Sequence, residues 1–250
     1  MKKTVLYLGD THLTGPACYL AGVMTHYDIT FDYLPSDIKF VSHLLATPYD
    51  LIIISDYPAA NFTHAQLNAL AAKIKAGAGL LMIGGWDSFT GSNGGYNDTI
   101  LKDILPIEML PTDDRVNYGQ TTLIKKEIDH PIVESIPFDT MTPAIGGFNI
   151  IKAKPDALTV LSTQQFENTF DGRNFNFAPL EKTDPLLVVG QYENSRVAAL
   201  ATDLAPHWVG PFVDYGPERI TAKAQGSEEI EVGNYYAQFV ANLVKWTARL

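Results

Sequence analysis

The sequence predicts an α/β protein built on a doubly wound, mostly parallel sheet of the flavodoxin-like type, with an antiparallel or mixed extension. Two observations lead to this prediction. From Thr4 to Ile83, short apolar runs typical of buried parallel strands alternate with helical patterns over short connections. After Leu105-Pro106 the pattern changes to strands with few helices between them. We therefore expect one domain over residues 1–250, with a β-rich extension at about residues 110–180.

The first part of the chain contains the predicted core elements. In order, the patterns give a strand at Thr4–Leu8, a helix at Ala17–His26, a strand at Ile29–Leu34, a short helix from Ser36 to Leu45 and a strand at Leu51–Ser55. Thr63 and Gln66 match the Thr-x-x-Gln capping box of a further helix, which Gly77 ends. The apolar run Gly79–Ile83 then predicts the central strand of the sheet.

The second part is predicted to be richer in strands. Strand patterns recur at Thr121–Ile128, Phe148–Ala153, Leu158–Gln164, Leu186–Tyr192 and Arg196–Ala201, of which the last two form a hairpin. Residues 166–177 mix aromatic, Asn and Gly residues without a period, which predicts a long loop that serves as an interface arm or a lid. A single apolar stripe predicts a last helix over about residues 232–248.

The composition restricts the classes of function. The chain has 250 residues, of which 46% are hydrophobic, and this is enough for a sizeable core. The 28 acidic and 18 basic residues give a formal net charge of −10, without the basic stripe of a nucleic-acid binder. The single cysteine, Cys18, rules out an internal disulfide and a cysteine-based zinc site. The apolar run that follows Met1-Lys2-Lys3 is too short for a signal peptide or a membrane span, so we expect a cytoplasmic protein.

The stretch after the central strand is the predicted location of a site. The strand stops at Gly84 and Gly85, and Trp86, Asp87 and the polar, glycine-rich loop Gly91–Tyr96 follow. In open α/β sheets, ligands bind just outside the carboxyl ends of the strands.

Two further pairs of polar residues also follow predicted strand ends. These are Asp10 with His12 and Asp203 with His207. Imidazole and carboxylate groups suit zinc or another divalent ion, but no ligand spacing here is diagnostic, and hydrogen bonding to loop backbones is the simpler interpretation. We therefore assign no metal and no cofactor. Because strand ends converge at one edge of the sheet, we expect Trp86 and His207 to face a common cavity with Asp10 or Asp203 nearby.

Aromatic residues accompany these polar groups. Trp86, Phe89, Tyr96, Trp208 and Phe212 either line the rim of a pocket or form the core of the loops. Aromatic faces beside Asp and His are a common sugar-binding composition. The predicted ligand-binding residues are Asp10, His12, Gly84, Gly85, Trp86, Asp87, Tyr96 and Trp208.

Three blocks in a fixed order resemble one known family. They are Gly84–Phe89 with Gly94-Gly95-Tyr96 and Leu105-Pro106, then Asp129-His130-Pro131-Ile132, then Thr202–Trp208, and the last helix with Asn242–Trp246 adds to them. In these blocks the chain resembles the class I glutamine amidotransferase-like proteins, and most closely their uncharacterised bacterial branch. The blocks extend over most of the chain, and the resemblance implies the amidotransferase-like version of the fold.

The resemblance also implies that the family's reaction is lost. The family's enzymes hold a nucleophilic cysteine in a Gly-x-Cys-x-Gly turn, and their catalytic histidine follows a late strand as His-Pro-Glu. Here Trp86 occupies the nucleophile position, and Trp208 and Val209 replace the Pro-Glu pair after His207. Because tryptophan has no nucleophilic atom, glutamine hydrolysis by the family's mechanism should be absent.

Other nucleophiles have alternative interpretations. Ser88 and His207 would have the chemistry of a catalytic triad if either Asp203 or Asp10 were the carboxylate that orients the histidine. The simpler interpretation is that Ser88 caps the end of a helix, which serine at such a position does more often. Cys18 could be a displaced nucleophile, but a small buried hydrophobic residue is the simpler interpretation.

Three classes of function follow from these residues. The first is a non-classical amidotransferase-like protein that binds a small polar ligand, such as a sugar or sugar derivative, at the strand ends and lacks glutaminase activity. The second is a hydrolase that uses Ser88 or a bound metal with His207, and the third is a structural or oligomerisation module. As partners we expect a small polar molecule and further copies of the chain in a homo-oligomer, with no nucleic acid and no membrane.

Overall fold

The computed structural model describes residues 4–250, apart from the side chains of Gln120 and Thr121. Met1, Lys2 and Lys3, on which part of the prediction for the N-terminus rests, lie outside the described residues. None of the helices within residues 4–250 is long and apolar enough to cross a membrane.

The described residues form strands and α-helices in the following order. The strands are β1 (Thr4–Gly9), β2 (Thr30–Leu34), β3 (Leu51–Ser55), β4 (Gly79–Ile83), β5 (Ile107–Met109), β6 (Arg115–Lys126), β7 (Ala144–Asn149), β8 (Ile151–Ala153), β9 (Leu158–Phe170), β10 (Phe175–Pro179), β11 (Pro185–Tyr192), β12 (Ser195–Leu200), β13 (Arg219–Lys223) and β14 (Glu229–Gly233). The helices are α1 (Cys18–His26), α2 (His64–Ala76), α3 (Leu101–Ile104), α4 (Pro206–Val209) and α5 (Asn234–Ala248).

A ten-stranded mixed sheet organises the molecule. Its strand order is β2-β1-β3-β4-β12-β11-β9-β6-β7, and β10 pairs with β9 beside this path. The ladders from β2 to β12 are parallel, and those from β12 to β7 are antiparallel. The mixed α/β architecture is thereby confirmed, while the single-domain boundary stays a prediction.

The interior strands explain why the first part of the sequence is so apolar. Every residue of β3 and β4 is buried, because these strands are covered on both faces. β4 lies between β3 and β12, so its predicted central place is confirmed. The parallel ladders bring the carboxyl ends of β1, β3, β4 and β12 to one edge of the sheet, which we call the strand-end edge.

The capping box of α2 is confirmed. The Thr63 hydroxyl accepts a hydrogen bond from the Gln66 N–H at 3.2 Å, and the Gln66 side chain accepts one from the Thr63 N–H at 2.8 Å. Gly77 ends the helix with φ of 134°, a conformation that favours glycine.

Two predicted elements are wrong. Residues Ser36 to Leu45 do not form a helix; only a 3₁₀ turn is present, at Ser42–Ala46. The Ser36 hydroxyl instead accepts a hydrogen bond from the Thr11 N–H at 3.0 Å, so it anchors a neighbouring loop. The predicted loop over residues 166–177 is a β-hairpin of β9 and β10, whose register pairs Phe170 with Phe175.

Candidate functional site

Three carboxyl groups from distant parts of the chain lie at the strand-end edge. Asp10 follows β1, Asp56 follows β3 and Asp203 follows β12. Asp10 and Asp203 are buried, and Asp56 is partly buried. Burial, followed by the charges of Asp10 and Asp56, holds the pKa of Asp203 well above its usual range. The three groups therefore form one interacting cluster, of which the sequence predicted Asp10 and Asp203 and missed Asp56.

The backbone at the ends of β1 and β3 adopts an unusual conformation. Asp10 and Asp56 have φ of 50° and 44°, which is the left-handed region that few residues other than glycine occupy. A Cβ atom on Gly9 would lie 1.4 Å from the Ser55 carbonyl oxygen, so only glycine fits there. That same carbonyl accepts a hydrogen bond from the Asp10 N–H at 2.9 Å. Strained residues of this kind concentrate at functional sites, and these two carry carboxyl groups of the cluster.

Asp10 is the innermost member of the cluster. The Tyr7 hydroxyl donates a hydrogen bond to its Oδ2, and the Ser55 hydroxyl donates one to its Oδ1 at 3.1 Å. Burial, together with the neighbouring Asp56 charge, raises the pKa of Asp10 to about 8. Because both oxygens already have partners, Asp10 is suited to positioning its neighbours rather than to contacting a ligand.

Asp203 and His207 bring the cluster to the surface. The Asp203 Oδ1 accepts hydrogen bonds from the N–H groups of Leu204 at 2.5 Å and Ala205 at 3.1 Å, which fix the side chain in a turn ahead of α4. The His207 Nε2 lies 3.1 Å from the Asp203 Oδ2. Within residues 4–250, however, this buried oxygen has no hydrogen bond of acceptable geometry.

Burial shifts the pKa values of these two side chains in opposite directions. It raises the pKa of Asp203, where the charges of Asp10 and Asp56 add to the effect, and it lowers the pKa of His207, so both shifts disfavour the charged forms. The His207 side chain is 50% exposed, whereas that of Asp203 is only 1% exposed. The pair therefore places a buried oxygen that lacks a hydrogen bond directly beside a histidine that solvent can reach.

The loop after β4 wraps around Asp56. The Asp56 carboxylate accepts hydrogen bonds from the backbone N–H groups of Asp87, at 2.8 Å to Oδ1, and of Trp86. A Cβ atom on Gly85 would lie 2.1 Å from the same Oδ1, so glycine permits this close approach. Burial raises the pKa of Asp56 to about 7. The predicted site residues Gly85, Trp86 and Asp87 are thus joined to the carboxyl cluster through backbone contacts.

Two buried side chains from the antiparallel half hold this loop from the other side. The Asn149 Oδ1 accepts a hydrogen bond from the Gly85 N–H at 2.9 Å, and its Nδ2 donates to the Gly85 carbonyl at 3.1 Å and to the Asp114 carboxylate at 2.7 Å. Asp114 also accepts from the N–H groups of Thr90 at 3.1 Å and Gly91 at 3.0 Å. Sequence reasoning missed both Asn149 and Asp114, because nothing in the local pattern distinguishes them.

Trp86 stands at the surface of the strand-end edge. Trp86 is 50% exposed, and the guanidinium of Arg115 lies 4.3 Å from the centre of the indole ring. Arg115 is itself fixed by Asp113, with Nε to Oδ1 at 2.9 Å and an Nη2 to Oδ2 contact of 2.6 Å. Asp87, next to Trp86, accepts a hydrogen bond from the Asn93 side chain at 3.1 Å. The indole is therefore held in place while much of its surface stays open. That Trp86 and His207 line one cavity stays a prediction.

Gly84 and Ser88 have structural contacts in the turn. A Cβ atom on Gly84 would lie 2.2 Å from the Ala201 carbonyl oxygen, so this glycine lets β4 and β12 end side by side. Ser88 is fully buried, and its hydroxyl accepts a hydrogen bond from the Asp56 N–H at 3.0 Å. This contact fixes the loop to the end of β3. Because the hydroxyl is buried in this structural contact, it does not favour Ser88 as a nucleophile, and that role stays a prediction.

The other predicted aromatic residues belong to the loop core. Tyr96 is fully buried and its hydroxyl donates to the Tyr57 carbonyl at 2.5 Å. Trp208 is 2% exposed, donates to the Asn117 side chain and packs on Gly147, where a Cβ atom would lie 2.4 Å from the indole nitrogen. A direct ligand contact through Tyr96 or Trp208 is therefore not supported, because neither ring reaches solvent.

His12 lies at the surface, unlike Asp10 and Asp203. Its side chain is 53% exposed, and its Nε2 is 3.9 Å from the Asp37 carboxylate on the surface. Across residues 4–250, no group of three or more His, Cys, Asp or Glu side chains has the arrangement of a metal site. Cys18 is buried at the start of α1, and burial raises the pKa of its thiol, which disfavours the reactive thiolate.

A second family block lies beside a separate groove. Asp129, His130 and Pro131 line an open groove of about 710 Å³ together with Lys126 and Tyr235. The His130 Nδ1 accepts a hydrogen bond from the Ile132 N–H at 3.3 Å, so this histidine caps a 3₁₀ turn.

Comparison with known proteins identifies the family. The sequence matches the model of a family described as "Putative glutamine amidotransferase" over residues 10–218. The chain belongs to this family. The match begins at Asp10 and includes His207 and the turn at Gly84 and Gly85. All three carboxyl groups of the cluster therefore lie within the part of the sequence that matches the family. No curated protein matches the chain.

Solved structures of similar proteins share the fold of this chain. A cytoplasmic protein of Salmonella typhimurium LT2, STM1381, is 26% identical, with a TM-score of 0.72 over 98% of this chain and 99% of its own. Another cytoplasmic protein of Salmonella typhimurium, STM3548, is 24% identical, with a TM-score of 0.72 over 97% and 98%. A ThuA-like protein from Bacteroides uniformis ATCC 8492 is 13% identical, with a TM-score of 0.56 over 98% and 91%, and so shares the fold alone.

Proposed function

We propose that this member of the amidotransferase-like family binds a small polar ligand, such as a sugar or sugar derivative, at the strand-end edge and has no glutaminase activity. The observation that carries the proposal is the Asp203 Oδ2, which is buried without a hydrogen bond beside the half-exposed His207. A buried polar atom without a partner is costly, and a ligand group that completes its hydrogen bonding gains that free energy on binding.

The chemistry of the edge suits hydroxyl groups. The Asp203 carboxyl oxygens accept hydrogen bonds, and the carboxyl also donates one in its protonated form, which burial favours. The His207 imidazole in its neutral form, which burial also favours, offers one nitrogen that donates and one that accepts. A sugar hydroxyl can both donate and accept, so it complements both side chains. The exposed indole of Trp86 provides an apolar face of the kind on which sugar rings stack.

The same residues argue against glutamine hydrolysis. The turn that would carry the thiol carries Trp86, and a nucleophile must lie within hydrogen-bond reach of its base. The Cys18 thiol is buried in the first turn of α1, and burial raises its pKa. We therefore assign the turn to binding and not to acyl transfer.

A hydrolase is the second candidate, and one contact favours it. A half-exposed histidine whose Nε2 lies 3.1 Å from a buried carboxyl oxygen combines a base that water can reach with a nearby carboxyl group, and a histidine base can activate water. In this candidate water is the nucleophile, because the Ser88 hydroxyl is buried in the loop clamp. A purely structural module, the third class, is less well supported because Trp86 is exposed and does not fill the site.

Calorimetric titration of a panel of mono- and disaccharides and sugar acids tests the binding proposal. We expect at least one ligand to bind the protein, and Trp86→Ala and Asp203→Asn each to weaken its binding by about tenfold or more, equivalent to about 1.4 kcal/mol. Leu158→Ala is the matched control, because Leu158 is 54% exposed and lies away from this edge. Binding that both site variants leave unchanged would remove the proposed site.

A glutaminase assay tests the second half of the proposal. We expect no release of ammonia from glutamine by the purified protein, with or without added divalent metal, and no change on replacing Cys18 with Ala. Ammonia release that depends on Cys18 would show instead that the thiol reaches the site from α1, and the alignment of Trp86 with the nucleophile would then be incorrect.

The finer description of the fold is also part of the proposal. We assign the parallel half to a doubly wound, flavodoxin-like arrangement in a single domain. In support, α1 packs against α5, whereas α2 packs against α3 and the 3₁₀ turn at Ser42–Ala46, as expected if the two groups cover opposite faces of the sheet. Cytoplasmic location is likewise proposed, from the names of the two Salmonella proteins.

A further inference from the structure

The hairpin of β9 and β10 exposes an aromatic surface. Every residue of β10 is exposed, and Phe170, Phe175 and Phe177 are 59%, 68% and 57% exposed. Phe170 and Phe175 face each other across the hairpin, with ring centres 4.8 Å apart. An isolated two-stranded hairpin is only marginally stable in water, and contiguous apolar patches often mark sites of association.

The outer edge of β10 offers free backbone groups. Among the described strands, β10 pairs with β9 alone. The Asp171 N–H donates to the Asn174 carbonyl and the Leu180 N–H to the Gln165 carbonyl, so even-numbered residues of β10 point their backbone groups towards β9. Phe175, Phe177 and Pro179 therefore point theirs outwards. Because proline has no N–H, the outward donors are those of Phe175 and Phe177.

We propose that a second copy of this chain docks on this edge, with the two β10 strands antiparallel about a two-fold axis at Asn176. In this register, Phe175 of each copy lies opposite Phe177 of the other. The N–H groups of Phe175 and Phe177 in each copy then donate hydrogen bonds to the carbonyl groups of Phe177 and Phe175 in the other copy. The aromatic side chains of these residues form cross-strand pairs. A register centred on Phe177 would place Pro179 opposite Phe175 and lose hydrogen bonds.

The charges of the hairpin fit the same register. Arg173, in the turn, lies opposite Pro179 of the second copy, which makes Glu181 of that copy its diagonal neighbour. Arg173 and Glu181 are both exposed, and long side chains reach diagonal neighbours on an antiparallel pair. The two-fold axis repeats this opposite-charge contact, so the surface is complementary to itself.

The exposed aromatic area is a substantial part of what a dimer interface needs. With 150–250 Å² for a fully buried aromatic side chain, the exposed parts of the three Phe residues amount to roughly 350 Å² per copy. This is somewhat less than half of the about 800 Å² per partner that a stable interface buries.

Disulfide trapping tests the register in the full chain. In a Cys18→Ala background, Asn176→Cys places two cysteines opposite each other in a non-hydrogen-bonded pair, with Cα atoms about 4.5 Å apart, which a disulfide can bridge. We expect a covalent dimer after mild oxidation. Ala178→Cys is the matched control, because its opposite residue is Asn174, and we expect it to cross-link at least tenfold more slowly. No cross-link at residue 176, or equal cross-linking at residue 178, would overturn the proposal.

A charge swap tests the partner. By light scattering after size exclusion, we expect twice the mass of one chain for the unmodified protein. Arg173→Glu should weaken the dimer by about tenfold, and adding Glu181→Arg should restore it, because the swapped charges again face each other. Met141→Glu, at an exposed residue outside the hairpin, should leave the dimer unchanged. A monomer at all concentrations, or a double variant that stays as weak as the single one, would contradict docking by a second copy.

Discussion

At the scale of single residues, Trp86 is the most exposed large hydrophobic side chain of the candidate site. Its neighbours hold it in place, because the Asp56 carboxylate accepts its backbone N–H and the Arg115 guanidinium lies over its ring. Trp86 therefore presents a large, rigid, half-exposed surface. Such a surface suits recognition, since an ordered indole loses little conformational entropy when a ligand covers it.

The exposure of Trp86 gives an optical prediction. Trp208 is 2% exposed and Trp246 is only partly exposed, so iodide should quench mainly the emission of Trp86. We expect Trp86→Phe to remove most of the iodide-quenchable tryptophan fluorescence, and a ligand at the strand-end edge to protect it in the unmodified protein. Trp246→Phe, the control, should retain the quenchable component; quenching that survives in Trp86→Phe would contradict the exposed position.

Asp10 gives a prediction for the pH dependence of stability. Its pKa is raised from 3.8 to about 8 in the folded chain, so the folded state holds a proton that the unfolded state has lost between these pH values. The free energy of unfolding should therefore fall as pH rises from about 4 to about 8. Asp10→Asn keeps the shape but cannot ionise, so urea denaturation should show a shallower fall. Asp156→Asn, at an exposed site, should keep the original slope, and an equal slope in both variants would contradict the assignment.

Only part of the site could be predicted residue by residue. Asp10, Asp203 and His207 were accessible to sequence reasoning because each follows a strand, and the ends of parallel strands converge. Asn149, Asp114 and Arg115 were not, because they come from the antiparallel half and their contacts with the loop exist only once the two halves have met. The exposure of the aromatic side chains could not be predicted either. Trp86 and Trp208 follow strand ends in the same way in the sequence, but only Trp208 is buried, by packing against Gly147.

At the scale of elements, the contact between the ends of β1 and β3 is the tightest constraint on the site. Gly9→Ala would place a Cβ atom 1.4 Å from the Ser55 carbonyl, at φ of 129°. Because that neighbour is backbone and cannot turn away, the strands must separate. We expect the free energy of unfolding to fall by about 2–4 kcal/mol, measured by urea denaturation. Gly119→Ala, with no atom within 4 Å of the added Cβ, should change it by less than about 0.5 kcal/mol.

Elements were predictable where local signals decide the structure. The capping box of α2 and the wholly apolar β3 and β4 are examples, because their patterns determine the helix start and the burial. The hairpin of β9 and β10 was missed because both faces of β10 are exposed, so no apolar and polar alternation accompanies the strand. The predicted helix at Ser36 failed because its capping hydroxyl serves the Thr11 loop instead.

At the scale of the molecule, stability should decrease outwards along the sheet. β3 and β4 are wholly buried between neighbouring strands, whereas β10 is exposed and paired on one edge. In native-state hydrogen exchange at low protein concentration, we expect the slowest amides in β3 and β4, and those of Phe175 and Phe177 to exchange fastest within the sheet. Equal protection of β10 and β4 in dilute protein would contradict this gradient.

The glycine turn after β4 has a consequence for ancestry. At Gly84 an added Cβ atom would collide with the Ala201 carbonyl, and at Gly85 it would collide with the Asp56 carboxylate. Replacing either glycine would therefore disturb the end of the sheet, whatever chemistry the site performs. The presence of this turn in a related protein thus records common architecture and not a shared reaction.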